Sequence, residues 1–498
     1  MQTTVAEQID TTHFRTPPFA HQLAGINALL KHKYFAIFDE PGAGKSKQVI
    51  DAACLLAERG EIDTVVVVCP ASVRSVWCDV EIGEIKKHSW HGNAVYEFHS
   101  KRKQIWYEQK HDNLPTMAWI ITNYEFLRND KHLTNLCKNF FGPKTLLVLD
   151  ESSYIKSRTA AQTKAVLRLR AHCARVVLLN GTPIVNNPLD LFSQMKVLSQ
   201  DILGENFWQF RSHYCDMVPM KFGAGPRFSK IVSYKNLDEL QRKIAPYCLR
   251  RLKSDCLDLP PKLYTQREVA LTPESWKRYQ ELKREAVISL GNGDVRLEQN
   301  AAVRIMRLAQ LTSGILGGCL TAEPDDPVQC DLSSEKLDWC VQHLREECTA
   351  SHVIVWCRWR RERERLVEAL KEINVYQIYG GQSQKERELA IKVFSGNEKS
   401  NVRNILIAQQ ASGGVGLNLV RATEELFLSN TWSWGQRIQA EDRTHRSGQK
   451  SSVLIMDVLA TGPRGEKTID HQIAKALREK EDLATFTCAQ WRVALSDT

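Results

Sequence analysis

The residues Gly42-Ala-Gly-Lys-Ser46 carry the clearest chemistry in this chain. They follow a strand-like run, Tyr34 to Phe38, and precede a helical stretch from about Lys47 to Arg59. That order suits a loop that holds phosphate. Gly42 and Gly44 let backbone N–H groups approach phosphate oxygens, and the start of the helix adds its positive end. Lys45 is placed to reach the β- and γ-phosphates of a nucleotide, and Ser46 to ligate Mg2+. The strict GxxxxGK[ST] spacing breaks at its first glycine, where Asp39 stands.

Three further groups fit the same chemistry. Asp150-Glu151 ends an apolar run, Thr145 to Leu149, and ligands of parallel α/β sheets sit at such strand ends. There Asp150 would hold Mg2+ through water while Glu151 orients and deprotonates the attacking water. Asn180-Gly-Thr-Pro183 follows the next run, with Thr182 able to sense the state of the phosphate. In the second half, the run Asn404 to Ala408 leads into the Gly-rich segment Gln409 to Asn418, and Arg443 and Arg446 lie farther on in Gln439 to Gln449. Three residues apart on a helix, the two arginines share a face. Arginines of this kind raise phosphoryl-transfer rates by ~10³ to 10⁵. Taken alone, the acidic pair can equally cap the next helix and the arginines can decorate a surface helix. The phosphate loop ties them to one reaction.

The elements that must position these groups alternate between strand and helix in both halves, which predicts an α/β fold with parallel sheets in two lobes. In the first, Tyr34–Phe38, Thr64–Cys69, Trp119–Thr122, Thr145–Leu149 and Arg175–Leu179 read as buried strands. In the second, the strands are Val353–Cys357, Val375–Ile378, Asn404–Ala408, Glu425–Leu428 and Val453–Val458. The stretches Asp190–Lys253 and Thr272–Ser313 read as mainly helical insertions, and Leu259–Lys262 and Ile315–Ser334 as connectors. The Arg-rich run Arg358–Arg365 reads as a solvated helix face with i,i+4 pairs Arg358/Glu362 and Arg360/Glu364.

Composition bounds the class. The 498 residues are 43% hydrophobic and 25% charged, values of a globular chain of two or three domains. No apolar run approaches the ~18 residues of a membrane span, and residues Met1–Arg15 lack a secretory pattern, so an intracellular location is expected. The net charge is +9, and it is concentrated: Lys101–Lys253 holds 25 Lys+Arg against 12 Asp+Glu, as expected of a face that meets a polyanion. The fourteen cysteines show no CxxC pair, so reduced, buried thiols are expected rather than a metal or redox motif.

From Phe19 to Val458 the chain resembles the Swi/Snf-type branch of helicase superfamily two. Phe19-Ala-His-Gln22 with Gly25 is similar to the family's adenine-reading block, Asp39–Gln48 to its motif I, Cys69-Pro-Ala-Ser72 with Trp77 to motif Ia, Asp150-Glu151 to motif II and Asn180–Asn187 to motif III. Leu249-Arg-Arg-Leu-Lys253, Leu259-Pro-Pro-Lys262 and the block Ser412–Gln449 with Trp432 are diagnostic of this branch. The resemblance implies two RecA-like lobes with helical insertions: residues 1–255 with an insertion at about 190–253, and 256–498 with one at about 272–320. It implies DNA-stimulated hydrolysis of ATP with Mg2+ between the lobes and translocation on duplex DNA without sequence reading. Such motors serve repair, recombination or remodelling of protein–DNA complexes. It adds Gln22, Gly416 and Gln439 to Gly42, Gly44, Lys45 and Ser46 as nucleotide contacts, and leaves Lys45, Asp150, Glu151, Arg443 and Arg446 as the catalytic set. A bacterial or phage-infected cytoplasm is the expected setting, with no membrane partner. The chain departs from the family where Ser152-Ser153 replace Gly/Ala-His and Asn180 replaces Thr. Those departures keep open an ATP-gated DNA clamp beside a strand-separating DNA or RNA helicase.

Overall fold

The computed structural model describes residues 9–98, 102–108, 116–181, 183–184, 188–220, 228–291, 295–317, 329–395, 402–410, 417–446 and 448–479. They form two compact units, one of 9–216 with 232–258 and the other of 217–231 with 259–479.

The first unit is built on an eight-stranded sheet. Strands β1 (Tyr34–Ile37), β2 (Thr64–Cys69), β3 (Gly92–Phe98), β4 (Arg102–Glu108), β5 (Thr116–Asn123), β6 (Thr145–Leu149) and β7 (Arg175–Leu179) follow in chain order. Strands β8 (Cys215–Met220) and β9 (Phe228–Tyr234) form a separate pair, and β10 (Cys248–Leu249) returns to the large sheet. The spatial order is β10-β1-β7-β6-β2-β5-β3-β4, parallel throughout except β4, which runs antiparallel to β3. All five residues of β6 and of β7 are buried, as are Val65–Cys69 of β2. Such unbroken apolar runs are what a strand covered on both faces requires.

This order places the chemistry. β7 lies between β1 and β6, so the loops leaving β1, β7 and β6 are neighbours at one carboxyl edge. They are the phosphate loop, the Asn180 turn and the acidic pair. The loop leaving β2, next in order, starts at Pro70.

In the second unit β11 (Lys262–Ala270), β14 (His352–Cys357), β15 (Asn374–Ile378), β16 (Asn404–Gln409), β17 (Glu424–Phe427) and β18 (Val453–Thr461) form a parallel sheet in the order β11-β18-β17-β14-β16-β15, and β12 (Ile315–Gly317) pairs with β13 (Gln329–Asp331). Alternate residues feed opposite faces of the large sheet. Val353, Val355, Ile405 and Ile407 join one buried cluster, and Ile354, Trp356, Leu406 and Ala408 the other. No helix among the described residues is long and apolar enough to cross a membrane. The eleven cysteines with described side chains are free, and eight of them are buried.

The two-lobed parallel α/β architecture is the expected one, and three local readings are corrected. The stretch 190–253 holds helices Asp190–Leu198, Phe207–Tyr214 and Leu237–Ile244, but also β8, β9 and β10. A two-residue strand such as β10 is too short for any periodicity to register. The connector Leu259–Lys262 runs straight into nine-residue β11. Only Val269 on that edge strand is buried, so it has no apolar run to read. In the Arg-rich run, Arg360 does pair with Glu364 at 2.8 Å in solvent, but Glu362 is buried and accepts from Ser429. By contrast, the described part of 272–313 is mainly helical as expected, in Pro273–Gly291 and Val295–Thr312.

Candidate active site

The phosphate loop is shaped by its glycines and by what packs on them. Gly42 and Gly44 take positive φ, +91° and +77°, and Gly44 caps helix Lys45–Glu58 in the left-handed region. Any side chain there would be strained and obstructed, because a Cβ on Gly44 would lie 2.2 Å from Nε2 of Gln22. Gln22 therefore lies directly over the loop, its amide donating to the Ala43 carbonyl at 3.4 Å and accepting from Phe19 N at 3.0 Å. Lys45 Nζ donates to the carbonyls of Asp39 at 2.7 Å and Glu40 at 3.2 Å, curled within its own loop. Ser46 stands in the first turn of the helix. Gly181 of the Asn180 turn approaches so closely that a Cβ would meet Pro41 Cγ at 2.6 Å. A glycine is required there, and the contact locks the two loops together.

Asp150 is buried at the end of β6, and Glu151 follows with φ +53°, a conformation non-glycine residues seldom adopt. Glu151 N donates to Asp150 Oδ1 at 3.0 Å, so the pair is set by the backbone itself. The Trp77 indole donates to Asp150 Oδ2 at 2.8 Å, and the Tyr124 hydroxyl to the Asp150 carbonyl at 2.8 Å. Burial lifts the Asp150 pKa, while the Trp77 bond and the Lys45 charge pull it down. The positive end of the phosphate loop is thus felt at the acidic pair. Trp77→Phe removes one donor to a buried carboxylate and should cost about 2 kcal/mol in urea denaturation; an unchanged midpoint would show that the bond contributes nothing.

Ser152 and Asn180, two of the positions that depart from the family pattern, meet in one place. Ser152 Oγ donates to Gln194 Oε1 at 2.7 Å, and Asn180 Nδ2 lies 3.4 Å from Ser152 Oγ and 3.5 Å from Gln194 Oε1. Gln194 donates in turn to the carbonyls of Pro183 and Asp190, both at 2.8 Å. All three side chains are buried. They join the acidic pair to the Asn180 turn. Thr182 and residues 185–187 lie outside the described residues.

Asp39, which breaks the glycine spacing, has a structural role that sequence reasoning missed. It is fully buried and receives a forked pair of bonds from Arg251 at 3.0 and 2.9 Å, plus one from Gln48 at 3.1 Å. Arg250 donates to the carbonyls of Phe38 and Gly181, and Lys253 N to Glu40. The segment Leu249–Lys253 therefore clasps the phosphate loop. The signal was present as one Asp at the wrong place and one Arg-Arg dipeptide some 210 residues on, and nothing in spacing links the two.

In the second unit, helix Trp434–Glu441 stops short of the arginines. Arg443 and Arg446 sit in the turns that follow, correcting the expectation of one helix face. Arg446 donates to the Leu417 carbonyl at 2.8 Å, and Leu419 N to the Arg443 carbonyl at 3.0 Å, so the turn is sewn to the end of the Gly-rich segment. Gly416 itself lies outside the described residues. Gln439 is half-buried on the helix. Below the turn, Glu441 receives Lys262 at 3.0 Å, Tyr264 at 2.8 Å and Arg437 at 2.7 Å, and His445 contacts the Pro260 carbonyl at 2.7 Å. The Leu259-Pro-Pro-Lys262 segment thus braces the arginine turn from beneath.

Thr444, between the arginines, reaches both Glu425 and the Glu441 carbonyl. One hydroxyl proton cannot serve two acceptors. A protonated Glu425 resolves the conflict, donating to Thr444 while accepting from the Trp356 indole at 2.6 Å. Burial pushes this carboxyl up to about 7, with the Glu441 charge adding to it. Because the folded pKa lies above the ordinary 4.5, the folded chain holds a proton the unfolded chain has released. Stability from this group is then lost as pH rises from about 4.5 through about 7, about 3 kcal/mol in all. Glu425→Gln should abolish that component of the pH dependence of thermal unfolding between pH 5 and 8. An identical slope in both proteins would refute the assignment.

Residues 21–313 match the SNF2-related domain model and 335–448 the helicase conserved C-terminal domain model. An uncharacterized ATP-dependent helicase of Mycoplasma pneumoniae is 25% identical over 480 residues, covering 93% of this chain and 41% of its own length. The mouse DNA annealing helicase and endonuclease ZRANB3 is 27% identical over 481 residues, covering 95% of this chain and 41% of its own. The chain thus spans about two-fifths of the length of these relatives. Among solved structures, the Sulfolobus solfataricus SWI2/SNF2 ATPase core in complex with dsDNA has a TM-score of 0.42 at 24% identity, over 97% of this chain and 96% of that one. With the first domain model alone matching more than half of its residues, the chain belongs to the SNF2-related family of ATPases in helicase superfamily two.

Proposed function

We propose that this chain is an ATP-driven motor that translocates on double-stranded DNA through backbone contacts. The observation that carries the reading is the row of three loops at adjacent strand ends, with Lys45, Asp150 and Glu151 on one edge of one sheet. Lys45, Ser46 and the N–H groups beside Gly42 and Gly44 hold the nucleotide phosphates, Gln22 reads the base, and Gly416 and Gln439 add contacts from the second lobe. The site suits Mg2+ because it offers hard oxygen donors, the buried Asp150 carboxylate and the Ser46 hydroxyl in the first turn of helix Lys45–Glu58. Ser46 and Asp150, the latter through water, would hold the ion, which when bound neutralises charge on the phosphates. Glu151 orients and deprotonates the attacking water. Arg443 and Arg446 stabilise charge on the γ-phosphate.

For DNA the support is charge and its setting. Arg158 lies over the rings of Phe207 and Trp208 at 4.9 and 5.2 Å, and Arg211 over Trp208 at 5.7 Å. Trp208 is 58% exposed. An exposed aromatic among stacked guanidiniums suits a sugar-phosphate backbone. The functional halves are 1–255 and 256–498, and the expected work is repair, recombination or remodelling of protein–DNA complexes in the cytoplasm. A second reading, a DNA clamp that binds ATP without productive cycling, rests on Ser153 and Asn180, where the chain departs from the family pattern. ATP turnover measured with duplex DNA, single-stranded DNA and RNA at matched phosphate separates the two. The motor requires strong stimulation by duplex, lost in Lys45→Ala. Stimulation by RNA or single strands alone would mark a helicase of another kind, and tight DNA binding with no stimulation would mark the clamp.

A further inference from the structure

The second lobe holds a cluster of titratable side chains that the nucleotide chemistry does not use. His343, Cys348 and Glu424 are buried, and one ligand atom from each falls within 4.8 Å of the others. Glu424 opens β17 at the amino end of the parallel sheet. β17 has four residues, so Glu424 lies roughly 10 Å from the carboxyl edge of its strand. His343 begins a single π-helical turn, His343–Glu347, at the end of helix Glu335–Gln342. The turn closes through Cys348 N to the His343 carbonyl at 2.8 Å, which brings the thiol back beside the ring. Arg403 donates to the carbonyls of Leu344 and Cys348 and fixes the turn. Turns of this kind cost helix regularity and recur at functional sites.

The hydrogen bonds do not close without a cation. His343 Nδ1 lies 3.0 Å from Glu347 Oε2, and Nε2 lies 2.7 Å from Glu424 Oε1. Both ring nitrogens therefore face carboxylate oxygens. A neutral imidazole has one N–H. With it on Glu347, the Nε2 lone pair points at a carboxylate, and a positive charge must lie between them. The other oxygen of Glu424 is 3.1 Å from Cys348 Sγ. A histidine tied through one nitrogen to an outer carboxylate, with the other nitrogen turned inward, is the arrangement that orients metal-binding imidazoles.

We propose that His343 Nε2, Cys348 Sγ and a Glu424 oxygen bind a Zn2+ ion, with Glu347 as the outer carboxylate and water in the fourth position. Nitrogen, thiolate and carboxylate donors together suit zinc and not Mg2+ or Ca2+. A thiolate and a carboxylate carry two negative charges, so the ion leaves the buried cluster neutral. Zinc bonds of about 2.0–2.3 Å set tetrahedral ligands roughly 3.3–3.8 Å apart. Nε2 and Oε1 must separate by less than roughly 1 Å from their present 2.7 Å, a side-chain adjustment. The ion would pin the end of helix Glu335–Gln342 to the start of β17 and brace the amino edge of the sheet on the face opposite Glu425, the residue that bonds Thr444 of the arginine turn.

The competing occupant is a proton on Nε2, and cobalt distinguishes them. The full chain, stripped with chelator and titrated with Co2+, should take up one equivalent and show a thiolate-to-cobalt charge-transfer band that Zn2+ bleaches. Cys348→Ser should abolish the band, and Glu347→Gln should keep it while weakening affinity by about 10- to 100-fold. No band in excess Co2+, or a band that survives Cys348→Ser, would overturn the site and leave the protonated histidine. Should Cys348→Ser fail to fold, melting of the stripped wild-type chain decides: a Tm raised by Zn2+ supports the site, and an unchanged Tm overturns it.

Discussion

Replacing Arg443 or Arg446 by alanine should lower DNA-stimulated ATP turnover by ~10³ to 10⁵, with ATP affinity changed less than about tenfold. In the proposed reaction the loss falls on turnover, because the guanidinium charge acts where the phosphate develops charge and not where the ground-state nucleotide is held. Lysine should restore little, since a point charge cannot present the planar fork of arginine. The turn has its own supports. Gln449 Nε2 lies within 3.2 Å of the carbonyls of Val420, Ala422 and Thr444, and Glu441 anchors the helix ahead of it, so these supports survive both substitutions, although Arg446→Ala also removes the bond to the Leu417 carbonyl. Single-turnover hydrolysis alongside nucleotide titration makes the check. A variant with weakened binding and normal turnover would move these residues out of the reaction.

The second large effect is on stability. Arg251→Ala should destabilise the first lobe by about 3 kcal/mol, at the low end of the cost of stranding a buried charge. Asp39 is fully buried and would keep, among the described residues, only the Gln48 amide, at 3.1 Å, as a side-chain donor. Removing both charges, as Asp39→Asn with Arg251→Met, should recover most of the loss, because no unpaired ion then remains. Urea denaturation of the two variants tests this directly, and a double variant worse than the single one would show that packing, not charge, dominates. A weakened clasp should also loosen the phosphate loop, so ATP affinity in Arg251→Ala should fall with stability.

What was legible in the chain follows its physics. The central strands declared themselves because a parallel strand covered on both faces must be apolar along its whole length, and Thr64–Cys69, Thr145–Leu149 and Arg175–Leu179 emerge with the expected bounds. Edge strands carry no such signature: β11 shows only Val269 to the interior, and β4 reads Arg-Lys-Gln-Ile-Trp-Tyr-Glu. Local chemistry was legible too, since the glycines, lysine and serine of the phosphate loop are consecutive. Contacts between distant segments were not. Arg251 on Asp39, Trp77 on Asp150 and Lys262 on Glu441 join residues 73 to 212 positions apart, and only the sheet order brings them together. The arginine turn shows the limit of periodicity, because a three-residue spacing fits a helix and a turn equally well.

The proposed function has the loops on the edge of the first sheet hydrolyse ATP in response to duplex DNA. Its most direct test is steady-state ATP hydrolysis by the wild-type chain and by Glu151→Gln, each with and without duplex DNA. Glu151 is the residue to change because glutamine keeps its size and suits its left-handed backbone equally while removing the proposed base. Duplex DNA should raise wild-type turnover many-fold, and Glu151→Gln should bind ATP and DNA with turnover at the unstimulated level. Normal stimulated turnover in Glu151→Gln, or a wild-type chain indifferent to duplex DNA, would contradict the account.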